Sequence, residues 1–291
     1  MEDILRPLYQ ERASRPTTLG ILLIEKIESD SPITDTFDAV LLVITKEGET
    51  NVFIKHYVYE HKKAALHVIT EEQLREWITL GSNRKIFDWI YNGRILFERN
   101  DYLSNLKQEL QEFPFEGRKL KIGLEFAKLI RRYMDGKLFF DHQQYLDAYN
   151  HVIHSLHHLG RLSVIEKGFH PEVTVWNQVK HIEPEIYKLY EELITSEETL
   201  DKRLELLFLA SDFLIHSKTK LGASHILEVL EEKDYWTIQE IIEHKDLRIY
   251  SVDLVILVEY LIDKKYIHVV EVESKGIGLY HRYYTVKELL S

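Results

Sequence analysis

The sequence predicts an α+β chain in three parts: a mixed-sheet α/β domain over 1–117, an antiparallel helical bundle over 118–222, and a compact unit of three helices and a β-ribbon over 223–291. Three observations predict it. Val40, Leu41, Leu42, Val43 and Ile44 form an unbroken apolar run of strand length, rich in β-branched residues, as a strand buried on both faces requires. From about Arg118 the pattern changes to helix only, with apolar residues such as Leu124, Ala127, Leu129 and Ile130 at helical spacing. Near the C-terminus, two alternating segments flank Ser274-Lys-Gly-Ile-Gly278, the form of a hairpin.

Taken in order, Glu2 to Ala13 reads as a short helix with Ile4, Leu5 and Leu8 on one stripe, ended before Pro16. Thr17 to Ile27 is the first strand and Phe37 to Thr45 the central one, with Asp38 at its head. Lys46-Glu-Gly-Glu49 turns into a half-exposed strand from Asn51 to Glu60. A further strand, Ala65 to Ile69, leads to Thr70-Glu-Glu-Gln73, a capping box that opens a helix through Trp77. Ile86, Trp89 and Ile90 mark the next helix, Gly93 to Arg99 a late strand, and 101–112 a helix that closes the domain before Pro114.

In the middle part, Asp141-His-Gln-Gln144 is expected to cap a helix running past Leu162, and Glu183 to Thr195 and Thr199 to Ser217 supply two more. Short connections between such helices suggest a bundle. In the last part His225 to Glu232 is a helix, Thr237-Ile-Gln-Glu240 caps a second, and Ser251 to Lys265 is a third with Leu254, Leu257, Val258 and Leu261 on one face. Strands at Ile267 to Glu273 and Leu279 to Val286 follow, and three helices with a β-ribbon make a winged helix, a form of helix-turn-helix.

Composition narrows the function classes. The 37 basic against 48 acidic residues give −11, which argues against a chain built to coat nucleic acid or an anionic membrane. With no cysteine there is no disulfide framework, thiol catalysis or thiolate metal site, and a cytoplasmic protein is expected. No apolar run approaches the roughly 18 residues of a membrane span, and MEDILRPLYQER lacks the pattern of a signal segment.

The order of elements and the form of the central strand resemble the DNA polymerase β-like nucleotidyltransferase superfamily, in particular kanamycin nucleotidyltransferase. The whole chain is similar to a nucleotidyltransferase-like family of Bacillus-type bacteria that adds a C-terminal winged helix. The resemblance implies a helical substrate-binding half beside the sheet. It also implies Gly-Ser closing one strand, Asp-x-Asp on the next and a third Asp on a neighbour, since two Mg²⁺ ions about 3.5–4 Å apart need carboxylates converging from one face. Here Asp38 stands in the first Asp position, Val40 in the second and His67 in the third; Ile24 and Glu25 stand where Gly-Ser would be. Asp35 and Glu25 are the available substitutes, although an offset of three sets Asp35 and Asp38 on opposite faces of a regular strand.

These substitutions imply a degenerate, non-catalytic nucleotidyltransferase-like protein with a ligand-binding, regulatory or interaction role. No cofactor or bound metal is expected, and a nucleotide or small molecule and a second copy in a homodimer are the expected partners. Two alternatives stay open: a metal-dependent transferase with a rearranged site of Asp38, Asp35 and Glu25, which would require Mg²⁺, and a winged-helix DNA-binding regulator. Against the latter, the helix after Tyr250 offers Ser251, Asp253, Glu259 and Asp263 rather than Arg, Lys, Asn or Gln, and residues from Ala223 hold 8 Lys and Arg against 13 Asp and Glu. His151, His154 and His158 share a helix face at i, i+3 and i+7; that face is read as a polar stripe rather than a metal site.

Overall fold

A computed structural model describes residues 2–26, 32–48, 52–83, 85–113, 115–276 and 278–287. Its contacts divide the chain into two compact units, one of residues 1–114 with 169–175 and one of 115–168 with 176–291.

The first unit opens with α1 (Glu2–Ala13), then β1 (Thr18–Glu25), β2 (Ala39–Thr45), β3 (Phe53–Tyr59), β4 (Lys62–Thr70), α2 (Glu71–Leu80), α3 (Ile86–Asn92), β5 (Arg94–Glu98) and α4 (Tyr102–Glu112). The five strands lie in the order β3-β4-β2-β1-β5. β2 and β4 run parallel, while β1 is antiparallel to β2 and β5, and β3 to β4. Central β2 is buried at every position, as its apolar run requires. Val40, Leu42 and Ile44 face α2, α3 and α4 in one core cluster with Leu74, Ile86, Trp89 and Leu103; Ala39, Leu41 and Val43 join Leu5 of α1 in a second. Edge strand β3 is mostly exposed. The capping box at Thr70 forms as expected, its hydroxyl accepting from the Gln73 amide and the Gln73 side chain accepting from Thr70. The turn expected to end at Glu49 lies partly outside the described residues, as does the end of the first strand at Ile27.

The second unit holds α5 (Phe115–Asp141), α6 (Tyr145–Glu166), most of α7 (Val175–Ile182), α8 (Pro184–Thr195) and α9 (Leu200–Leu230). The same unit continues into α10 (Ile238–Glu243), a 3-10 turn (Arg248–Asp253), α11 (Leu254–Asp263), β6 (His268–Glu273) and β7 (Tyr280–Thr285).

Three sequence expectations are corrected here. Asp141 ends α5 instead of capping the next helix: the chain turns at Gln143, in the left-handed region at φ 59, and α6 begins at Tyr145. α9 runs unbroken through position 222 into the segment expected as a separate helix from His225. Gly222 there is a close-packing residue, since a Cβ on it would sit 2.2 Å from Cγ of Phe126 on α5. Finally, Ser251 has φ 52, so α11 starts at Leu254 rather than at Ser251.

The 3-10 turn and α11 pack onto α5 within this unit. Gly123 leaves room for the buried Tyr250, whose hydroxyl would lie 2.2 Å from a Cβ at that position. Tyr250 also bonds His225 Nδ1 at 3.0 Å. Trp236 extends the β6–β7 ribbon through a bridge to Tyr284, and Thr237 forms the expected capping box with Glu240.

Candidate functional site

Val40, which the resemblance sets where a second carboxylate is expected, is a core residue. Val40 is 2 % exposed and packs under the helical layer of the first unit. Asp38, just ahead of β2, is held by three bonds: its amide donates to the Lys63 carbonyl at 2.9 Å, its carbonyl accepts from Lys26 at 2.9 Å, and its carboxylate Oδ2 accepts from the Lys63 amide at 2.7 Å. That carboxylate ties the start of β2 to β4.

His67 shares a sheet face with Val40, because Val40 pairs with Ala65 and Leu42 with His67 across the parallel β2–β4 register. Its ring lies 5.0 Å from that of Trp89. Asp35 occupies a left-handed turn position, φ 53, and pairs with Lys85 Nζ. Burial lowers the His67 pKa, the positive potential of His56 and Lys85 adds to this, and Asp35 opposes it. The fold therefore gathers Asp35, His67, His56 and Lys85 in one patch beside Trp89, whose indole N–H donates to the Ile33 carbonyl at 2.8 Å. Glu25 goes elsewhere: strand alternation turns it to the opposite sheet face from Ile24 and Val40, and it lies 3.7 Å from Arg94. One carboxylate already matched by an ammonium, beside two imidazoles, is a poor donor set for a hard divalent cation.

The helical middle holds a denser cluster. Glu125 on α5, 5 % exposed, receives His158 Nδ1 at 2.9 Å and Arg161 Nε at 3.4 Å from α6, with Lys128 Nζ at 3.5 Å. Lys121, one turn before Glu125 on α5, is 7 % exposed. Burial raises the Glu125 pKa, but Arg161, the His158 hydrogen bond and Lys128 outweigh it and leave the group below the usual carboxylate range. Burial pushes the Lys121 ammonium down to about 7, with repulsion by Arg161 adding and attraction by Glu125 opposing.

The histidine stripe is divided. His158 joins Glu125, His151 Nδ1 lies 3.6 Å from Asp135, and His154 is exposed. Carboxylates do approach from α5, but in separate pairs. Among the described residues, the side chains near enough to share one metal ion are Glu232, His244 and Asp246 in the C-terminal part.

Asp253, at the end of the 3-10 turn, is buried against Arg131 of α5, while Val255 and Glu259 on α11 are exposed, with Arg282 of β7 3.2 Å from Glu259. The outward face of this helix is apolar and acidic.

Sequence reasoning missed Lys85 and His56 around His67, and the whole Glu125 cluster. A signal existed for the latter: Lys121, Glu125 and Lys128 recur at i, i+4 and i+7 inside an apolar helix, and His158 and Arg161 at i, i+3 on the next.

Family models match successive stretches of the chain. A family model described as Nucleotidyltransferase-like matches residues 1–118, one described as YgxA-like substrate binding domain matches 119–218, and a Helix-turn-helix domain matches 224–286. The protein YgxA of Bacillus subtilis (strain 168), itself uncharacterised, is 56 % identical over 99 % of this chain and 98 % of its own length. The crystal structure of a nucleotidyltransferase-like protein from Exiguobacterium sibiricum 255-15 superposes with a TM-score of 0.80 at 43 % identity, covering 98 % of this chain and 99 % of that one. No helix among the described residues is long and apolar enough to cross a membrane. An identity of this size over nearly the full length of both proteins places the chain in the nucleotidyltransferase-like family of YgxA.

Proposed function

We propose that this chain is a cytoplasmic, non-catalytic nucleotidyltransferase-fold protein that binds an anionic small molecule, a nucleotide being the first choice, and acts through regulation or interaction. The observation that carries the reading is Val40, 2 % exposed where a second metal-ligating carboxylate would have to reach substrate. Asp38 supports it, because its carboxylate already serves the Lys63 amide. The ligand's charge is inferred from the helical middle, where Lys121, Lys128, His158 and Arg161 surround the single carboxylate Glu125 within the segment matching a substrate binding domain. An anionic group would find excess positive charge there in a site of low dielectric.

Two assays test the reading. With labelled ATP, GTP, CTP or UTP, Mg²⁺ or Mn²⁺ and aminoglycoside-like acceptors, no pyrophosphate should be released above background; turnover abolished by Asp38→Ala would overturn it. In a thermal-shift screen with the same nucleotides, binding to the folded state raises the apparent stability. A shift lost on Arg161→Met supports the site in the helical middle.

The helix-turn-helix match at 224–286 favours a second reading, a DNA-binding regulator. The outward face of α11 argues against base readout, since Val255 and Glu259 supply no major-groove donor. Steeply salt-dependent, sub-micromolar binding of the full chain to duplex DNA would favour this second reading.

A further inference from the structure

Glu232, His244 and Asp246 flank the short helix α10: Glu232 lies just past the end of α9, and the other two lie in the turn that leaves α10. One ligand atom from each lies within 4.8 Å of the others. Ligand atoms held about 2.0–2.2 Å from one ion at tetrahedral angles stand roughly 3.5 Å apart. His244 Nε2 and Glu232 Oε2 already have this separation, at 3.6 Å. Glu232 and Asp246 are exposed, so their carboxylates are free to close the remaining gap. The imidazole, in contrast, is placed by its surroundings. Its ring meets that of buried Trp236 edge-on, with centroids 5.5 Å apart. Trp236 is itself fixed, its indole N–H donating to the Leu230 carbonyl at 2.9 Å and its backbone bridging to Tyr284. The turn that carries His244 and Asp246 is closed by the Leu247 and Arg248 amides, which donate to the His244 carbonyl at 3.0 and 2.9 Å.

We propose that Glu232, His244 and Asp246 form a binding site for one divalent transition-metal ion, Zn²⁺ fitting best, with water completing its coordination. Two carboxylate oxygens and one imidazole nitrogen are a borderline donor set. It suits Zn²⁺ or Mn²⁺, whereas Mg²⁺ and Ca²⁺ favour oxygen alone and Ca²⁺ wants more ligands. The charge nearby favours a cation. Asp246 and Glu228 both act on His225, on the same end of α9, so negative potential extends across this surface. Lys119 answers Glu228, and Lys245 Nζ lies 3.8 Å from Asp246. The Lys245 side chain is 78 % exposed and turns to water at little cost when an ion takes the carboxylate. His244 Nδ1 lies 3.4 Å from the Asp246 amide, a contact at the long limit of a hydrogen bond that a ligating ring gives up easily. A bound ion ties the end of α9 to the end of α10, within the stretch that matches a helix-turn-helix domain. The inference is independent of the ligand in the helical middle and of whether any catalysis occurs.

Calorimetric titration of the untagged full-length chain with Zn²⁺, after stripping by a chelator, tests it. The wild type should take up a single Zn²⁺ per chain with a Kd below about 10 μM. His244→Gln, Glu232→Gln and Asp246→Asn should each weaken this binding at least about 10-fold, the loss that follows even when an outer partner of a ligand is removed. Zn²⁺ should raise the apparent melting temperature of the wild type and not that of the variants. Both carboxylates are exposed, so Glu232→Gln and Asp246→Asn should keep the circular dichroism and metal-free melting of the wild type even if His244→Gln disturbs the packing on Trp236. His154→Gln, at an exposed position on α6, controls for stray binding among the 15 histidines and should change nothing. A wild type that binds no Zn²⁺ at about 100 μM would overturn the proposal. Uptake that none of the three variants weakens would do so too, as an adventitious ion only, and a loss confined to His244→Gln would reduce the site to one surface imidazole and overturn it equally.

Discussion

The first and second units use charge in opposite ways. At the β1–β2 end of the sheet, where the superfamily concentrates carboxylates, three described acidic groups each have a local structural partner: Asp38 the Lys63 amide, Asp35 the Lys85 ammonium, Glu25 the Arg94 guanidinium. The buried motif position between them is apolar. In the helical middle, Lys121, Glu125 and Arg161 are each less than 10 % exposed. Buried charges cost several kcal/mol each unless paired, so their convergence demands a specific arrangement, while surface pairs demand little. Resemblance to a fold therefore points to the β1–β2 end of the sheet, whereas the densest buried charge lies in the helical middle.

The largest test of this contrast is to restore the motif. Val40→Asp places a carboxylate in a packed apolar layer with Leu42 and Ala65, so it should destabilise the fold by about 4 kcal/mol or more in urea unfolding. A substitution tolerated within about 1 kcal/mol would mean that this position opens to solvent, and the contrast between the two units would fail.

Much of the fold was legible because it rests on local chemistry. The capping boxes at Thr70 and Thr237 and the β-branched run of β2 each act within a few residues, and each appears where the sequence placed it. The continuation of α9 past Gly222 is not visible in the sequence, because what a glycine does in a helix depends on its neighbour, and the neighbour, Phe126, lies almost a hundred positions away. Asp141 was misread because a capping residue and the last residue of a helix are chemically alike when the turn between them, here at Gln143, is not visible. The Glu125 cluster stayed hidden for a related reason. Charges at i, i+4 and i+7 read as a solvated face, and only the approach of α6 shows that this face is inside.

A second, intermediate effect follows from that burial. The Lys121 pKa is about 7 in the folded chain against roughly 10.4 when unfolded, so between these values the unfolded state holds a proton that the folded state lacks. Stability must then rise with pH from about 7 to about 10, by an amount on the order of 2–4 kcal/mol from this group. Lys121→Met should remove that rise and be the more stable form at pH 7, as urea unfolding at both pH values would register. Parallel pH dependence in wild type and variant would show that Lys121 is solvated, and the helical middle would resemble the sheet after all.

The smallest expected effect lies at Asp38, and it separates a structural carboxylate from a metal ligand. Asp38→Ala removes the acceptor of the Lys63 amide, but Lys63 is exposed and water can take the vacated place, so the cost should be about 1 kcal/mol. Asp38→Asn retains an oxygen acceptor and should change stability by less than about 0.5 kcal/mol. A metal ligand behaves differently. Its removal would leave metal-free stability unchanged or higher, and would abolish any thermal shift that a nucleotide produces only with Mg²⁺. The comparison predicts the first pattern: a small loss for Asp38→Ala, almost none for Asp38→Asn, and nucleotide shifts with the same Mg²⁺ dependence in both variants as in the wild type. A Mg²⁺-dependent shift that disappears in both would place a cation at Asp38 and return the chemistry to the sheet.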